Sequence, residues 1–421
     1  MSLFLGTFRL PLFTSYYKEI PKDKDSLFFR RLPVEVLDNS SLGYLYQVTN
    51  PENHKFIEEA FKLGSTFYNT QGDESFPQGA HNIARHRDFV DNMARVLGIE
   101  TFAGLRILEV GCGPGHLLKL LKDEGADVMG CDPGPYGHFA KEHLGIEILQ
   151  KTFDADLIES GLLRTGHFDL VINFALLDLL SDPVSFLKLS KDLLKINGNI
   201  VCGVRDFEPY LKLGNPLGIN PEHQYYFTSK SLSYIFELAG LSNIKILSSQ
   251  YGLGLVATGS RPVADILTTS EDKAFPKSNE QLRSTKEMKS PRIEGLHDGY
   301  FSRTNQFVNR LQNRLMNLMN KNLAIMGGNL DTANLFALLN FDNVNTRIFE
   351  QDHQYVGKFI PGVSEPIFHD DLIDEFQPDE VWIMPLGFCD KIETNLRKKY
   401  SIQVPMVKMN SAPSSEVLIE S

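Results

Sequence analysis

From residue 106 onward, short apolar runs and amphipathic segments alternate with a regular rhythm. RILEV (106–110) is an apolar run too short for a helix, and it ends in glycines. HLLKLLKDEG (116–125) then places its leucines at helical spacing. DVMGCD (127–132), IEILQ (146–150), FDLVINF (168–174) and GNIVCGV (198–204) read as further strands. Before the last of them, Pro183 opens PVSFLKLSKDLLK, a helix by its apolar spacing and its proline start. A helix over 229–239 and the runs KILSSQ and GLGLVATG close the unit, the last two as an antiparallel pair. Such alternation predicts a parallel sheet covered on both faces.

The flanks follow different patterns. Upstream, LPVEVL and YLYQV are β-like, a helical stretch runs from Pro51 to Leu63, and Phe89, Val90, Met93 and Val96 stripe a helix over 81–97. Downstream, 259–298 is charged and turn-rich, as a linker or surface excursion would be. A helix over 298–319 follows, and then the strand–glycine–helix pattern returns in LAIMGGNLDTANLFALLNF, TRIFEQD, EVWIMPL and VPMVKM. The expected organisation is α/β throughout: a mixed N-terminal module (1–80), a doubly wound domain (81–260) and a second, smaller α/β domain (261–421). The last ten residues read as a frayed tail.

Composition narrows the class. A chain of 421 residues exceeds what one hydrophobic core serves. The net charge of −11 argues against a nucleic-acid partner. No run reaches the roughly 18–20 apolar residues of a membrane span. The N-terminal MSLFLGTFRLPLF lacks the basic leader of a signal peptide. Cys112, Cys131, Cys202 and Cys389 lie far apart, so neither a cysteine-rich zinc site nor a disulfide framework is expected. A cytoplasmic setting is the plain reading. Oligomeric state is not encoded in any pattern, and a monomer is the default.

The strongest chemical signal is LEVGCGPGH at 108–116. Gly111, Gly113 and Gly115 form a turn between strand and helix, where a helix N-terminus offers free N–H groups. Asp132, at the end of the second strand, is placed to bind the two hydroxyls of a ribose. Dinucleotide sites use G-x-G-x-x-G, whereas here the spacing is G-x-G-x-G with Glu109 two residues ahead. This pattern resembles the class I S-adenosylmethionine (SAM) methyltransferases. That resemblance implies SAM as cofactor, Glu109 toward its methionine end, and Phe153 and Asp154 beside its adenine.

A second resemblance covers most of the chain. EPYLKL, NPEHQYYFTSKSLSYIFELAGL and, at 355–367, YVGKFIPGVSEPI are similar to segments of nucleotide-sugar C-methyltransferases. The resemblance implies a nucleotide-linked 4-keto deoxysugar, methylated on carbon 3 with a histidine base. Three departures stand out. The four zinc cysteines of that family are missing, with NSSLG (39–43) at the comparable place; Asn220 replaces a tyrosine, and Leu179 replaces a histidine. No zinc is expected.

Carbon methylation requires a proton to leave beside a ketone and the enolate to be stabilised, tasks for a histidine and for hydrogen-bond donors. His223, in GINPEHQYYF, is the candidate base. Glu222 would orient a neighbour or hold a sugar hydroxyl, and Tyr226 would pack or donate. Tyr68 resembles the family's active-site tyrosine, Asn220 belongs to the substrate pocket, and Lys358 is a candidate diphosphate contact. His81 and His86, spaced by five, read as solvated helix residues. Two rivals remain open: an O- or N-methyltransferase on another metabolite, and a SAM-binding partner protein with a degenerate catalytic loop.

Overall fold

Three sheets carry the fold among the residues described in the computed structural model, namely 2–13, 16–39, 44–48, 53, 57, 80–249, 254–263, 297, 299–400 and 402–410. Tyr68, most of the predicted 51–63 helix and most of the 259–298 segment lie outside the described residues.

Strands β1 (Ser2–Pro11), β2 (Arg31–Asn39) and β3 (Tyr44–Gln47) form an antiparallel sheet near the N-terminus. The central unit runs through α1 (Ala80–Leu97), β4 (Arg106–Val110), α2 (His116–Asp123), β5 (Asp127–Cys131), β6 (Ile148–Leu149) and α3 (Ala155–Glu159). It continues with β7 (Phe168–Phe174), α4 (Pro183–Leu193), β8 (Leu194–Arg205) and α5 (Glu208–Leu213). After β9 (Tyr225–Tyr226) come α6 (Ser229–Leu238), β10 (Ser242–Ser248) and β11 (Gly254–Ser260). Its seven strands have the order β10-β11-β8-β7-β4-β5-β6, with β8 through β6 parallel and β10 and β11 antiparallel.

Local chemistry explains these elements. Ile107, Leu108, Val171 and Ile200 have no exposed surface, as a parallel sheet covered on both faces requires. The Asp182 side chain accepts the Ser185 N–H at 2.9 Å and Pro183 fills the first turn, so α4 starts where the sequence places it. Thr228 and Ser231 cap α6 reciprocally. The fifth strand differs from expectation: β8 begins at Leu194, with an irregular register against β7.

A second parallel sheet follows, built from α7 (Tyr300–Met316), β12 (Asn322–Met326), α8 (Leu330–Leu338), β13 (Asn345–Glu350), β14 (Ile367–His369), β15 (Glu380–Ile383), α9 (Cys389–Lys399) and β16 (Met406–Lys408). Its order is β14-β13-β12-β15-β16. It shares one core with the N-terminal sheet, where Leu10 and Val34 pack in the same cluster as Leu323 and Trp382. Under it, Arg314 meets Glu380 at 2.5 and 3.1 Å, and Trp382 Nε1 donates to the same carboxylate at 2.7 Å. Arg314→Met would strand a fully buried carboxylate, so a loss of about 3–5 kcal/mol is expected in urea unfolding.

His86 corrects an expectation. It is buried on α1 with its ring 5.4 Å from Phe174, and burial pushes its pKa down to about 3. The α1 face carrying His86 packs on the sheet, so the histidine is part of the core rather than solvated.

Candidate active site

The order of the central sheet reverses at β4, which pairs with β5 on one side and β7 on the other. Ligands of open α/β sheets bind in the crevice at such a point, beyond the carboxyl ends of the strands. Both candidate clusters lie there.

The first is the turn after β4. Gly111, Gly113 and Gly115 all take positive φ, at 73°, 51° and 86°. A Cβ at Gly111 would also meet the Leu176 side chain at 3.0 Å, so that side chain would have to shift, while the positive φ itself favours glycine. Asp132 fixes the turn: one oxygen accepts the Gly113 N–H at 2.9 Å and the other the Gly134 N–H at 2.7 Å. Glu109 is buried and its Oε2 has no hydrogen-bond partner within the protein. Burial, with the Asp132 charge adding, pushes its pKa well above the usual carboxylate range. An unpartnered carboxylate beside a glycine turn offers the acceptor that an ammonium-bearing cofactor needs, so these residues fit SAM. Phe153 is half-buried and meets Phe186 edge-on at 5.3 Å, which makes it partly core. Asp154 is exposed at the N-cap of α3.

The second cluster follows β7 and β8. Ala175 takes φ 54°, a strained value for a residue with a Cβ, and redirects the chain out of β7. Leu176 then reaches Gly111, and Asp178 reaches His223. Asp178 Oδ2 lies 3.6 Å from His223 Nδ1, and both side chains are largely buried. Burial holds the imidazole pKa below its ordinary value, Arg205 adds to the depression, and Asp178 opposes it. The net result is a neutral histidine with a carboxylate at its back.

The loop holding His223 is secured from two sides. Its residues Tyr225 and Tyr226 are β9, which joins the N-terminal sheet by pairing with Tyr46 and Leu45 of β3. On the other side, Asn334 of α8 donates to the carbonyls of Leu217 and Ile219, both at 2.7 Å. The Asp178 carbonyl accepts the N–H groups of Gln224 and Tyr225, which ties the two loops together.

The other predicted side chains have more specific roles. Asn220 is buried, and its Oδ1 accepts the Glu222 N–H at 3.1 Å. The Tyr226 hydroxyl accepts the Asn220 N–H at 3.2 Å and donates to its carbonyl at 3.1 Å. That phenol anchors the loop. Glu222 is buried with Oε1 unpartnered, and burial pushes its pKa up to about 8. It therefore holds its proton near neutrality. Lys358 is half-buried in a turn whose Phe359 bridges to Tyr17, and its backbone bonds Tyr355 and Ile367.

Sequence reading assigned no role to Asp178, which lies against His223, or to Arg205, whose charge lowers the His223 pKa. The available signal was a lone charge within or beside an apolar run, as in FALLDLL, where Asp178 interrupts a series of leucines.

A family model described as a methyltransferase domain matches residues 81–246. Over 129 residues the chain is 35% identical to a ubiquinone biosynthesis O-methyltransferase of Ruegeria pomeroyi, covering 29% of this chain and 50% of that protein. A protein of the same name from Dinoroseobacter shibae is 30% identical over 159 residues, covering 34% and 62%. The chain thus spans about half the length of the curated relatives it matches. Among solved structures, it is similar to the 1,6-didemethyltoxoflavin-N1-methyltransferase of Burkholderia thailandensis at 14% identity and a TM-score of 0.37, covering 55% of this chain and 95% of that one. A SAM-dependent methyltransferase from Archaeoglobus fulgidus matches at 20% identity and a TM-score of 0.33, covering 41% and 94%. Residues 81–246 are therefore a methyltransferase domain of the class I type, and S-adenosylmethionine is its cofactor.

Proposed function

We propose that the protein methylates a carbon beside the ketone of a nucleotide-linked deoxysugar, with His223 as the base. The observation that carries this reading is the buried His223–Asp178 pair beside the cofactor turn. Bound SAM supplies an electrophilic methyl group on a sulfonium. Glu109 would hold its ammonium, Asp132 its ribose, and the turn from Gly111 to Gly115 would line its approach. With Nδ1 turned to Asp178, Nε2 of His223 is the atom left to take a proton from the acceptor. Glu222, protonated near neutrality, would donate to an acceptor oxygen. The E-H-Q-Y-Y-F and V-G-K-F-I-P-G segments support a nucleotide-sugar acceptor, with Lys358 toward the diphosphate.

A second reading is O-methylation, favoured by the names of the relatives from Ruegeria and Dinoroseobacter. The same base would serve a hydroxyl. Among the described residues, no helix is long and apolar enough to cross a membrane.

Methyl-labelled SAM, a panel of nucleotide-linked 4-keto sugars and D2O separate these readings. The expected result is label on the sugar and deuterium washed in at the carbon beside the ketone. Label on an oxygen without wash-in would replace C-methylation by O-methylation. Absence of label at single turnover across sugars and phenols would leave a binding protein.

A further inference from the structure

We propose that Arg205 is a further catalytic residue, the cation that meets negative charge developing on the acceptor oxygen, with Asp331 of α8 as its positioning residue. The proposal rests on methyl transfer at His223.

Arg205 ends β8, at the same edge of the sheet as the His223 loop. Its Nη1 is buried and has no hydrogen-bond partner within the protein. Oδ1 of Asp331, in the first turn of α8, is likewise unpartnered and lies 3.9 Å away, although that side chain is only 9% exposed. Opposite charges at this separation attract but make no hydrogen bond. The Arg314–Glu380 pair shows how this chain builds a purely structural pair, closed at 2.5 and 3.1 Å and completed by Trp382. The Arg205 pair is left open by comparison, with donor and acceptor both available to a third atom. Tyr210 backs the guanidinium, its ring centroid 5.9 Å from Cζ.

The charges around His223 come from four elements. Asp178 follows β7, Arg205 ends β8, Glu222 and Tyr226 lie on the histidine's own loop, and Asp331 enters from α8 through Arg205. Arg205 is the only cation among those named, and it couples to Asp178, Asp331, Tyr210 and Tyr226. When Nε2 of His223 takes the proton, the C–H electron pair becomes the C=C bond of an enolate and the carbonyl π pair moves onto the ketone oxygen. As that oxygen pair re-forms the ketone, the C=C pair forms the new C–CH3 bond, the S–CH3 bond breaks, and S-adenosylhomocysteine leaves with the sulfur pair. Arg205 would stabilise the intermediate oxyanion, and a hydroxyl acceptor would pass through the same charge. One donor of this kind contributes about 10²–10³-fold in rate.

The test uses the full chain as Arg205→Met, Arg205→Lys and Asp331→Asn. With carbon-13 histidine labelling and the His223 signal assigned by His223→Gln, Arg205→Met should raise the His223 pKa by about one unit. Asp331→Asn should lower it, and Arg205→Lys should leave it near wild type. In the sugar assay, Arg205→Met should lower kcat by about 10²-fold with the SAM Kd unchanged, and Arg205→Lys should restore part of it. An unmoved His223 pKa in Arg205→Met overturns the proposal whichever acceptor is found. So does equal loss of kcat in the Lys and Met variants, which would mark a packing role. A shifted pKa with no methylated acceptor leaves Arg205 in place and removes the keto-sugar reading instead.

Discussion

Glutamine in place of His223 should leave SAM binding within about twofold of wild type and lower turnover by about 10²–10⁴-fold, the range of a lost general base. The turn beside Glu109 is held by the Asp132 side chain, which accepts the Gly113 and Gly134 N–H groups, so the substitution does not disturb it. The pH profile adds a sharper check. Burial and Arg205 depress the imidazole pKa, so the acid limb of kcat/KM should lie below the ordinary histidine value of about 6.5. Asp178→Asn removes the one charge that opposes this depression. Its acid limb should move lower still, while the rate at neutral pH falls because the base is weaker and less well oriented. Calorimetry with SAM and a labelled-methyl assay provide both readouts. Unchanged turnover in His223→Gln would remove this residue from the chemistry.

Glu109→Gln should weaken SAM binding and stabilise the cofactor-free protein, an opposite pair of effects at one residue. A charge-assisted hydrogen bond contributes about 1.5–3 kcal/mol, so Kd should rise about tenfold to a hundredfold. The stability effect follows from burial. The folded-state pKa of Glu109 is raised above its unfolded value, so the native state binds more protons between the two. Stability from this group is therefore full below the unfolded value of about 4.3 and is lost as pH rises through the folded one. Glutamine has no proton to lose. The gain of the variant over wild type should thus grow as pH rises above the unfolded value of about 4.3, measured by urea unfolding without SAM. A Kd for SAM equal to wild type would remove Glu109 from the cofactor site.

The residues differ in how legible they were. Strand–helix alternation, the G-x-G-x-G turn and Asp132 could be read directly, because each is specified within a few neighbouring positions. His223 and Glu222 were visible as a dense titratable pair, but their states were not. Whether Glu222 holds its proton depends on burial, and whether His223 is neutral depends on burial and on Arg205. Tyr226 illustrates the opposite case. Its phenol was expected to pack or to donate, and it closes the Asn220 backbone.

The sequence alone determined the class of sheet, the cofactor turn and the loop that carries the histidine, since hydrophobic period, glycine geometry and caps act over short windows of chain. Only the tertiary structure decided that β9 joins the N-terminal sheet, that Asp178 backs His223, and that Asp331 faces Arg205 from α8. Those pairings join distant segments. Their strength comes from desolvation and Coulomb interaction in a shared interior, and no local pattern of residues encodes which distant segment will provide that interior.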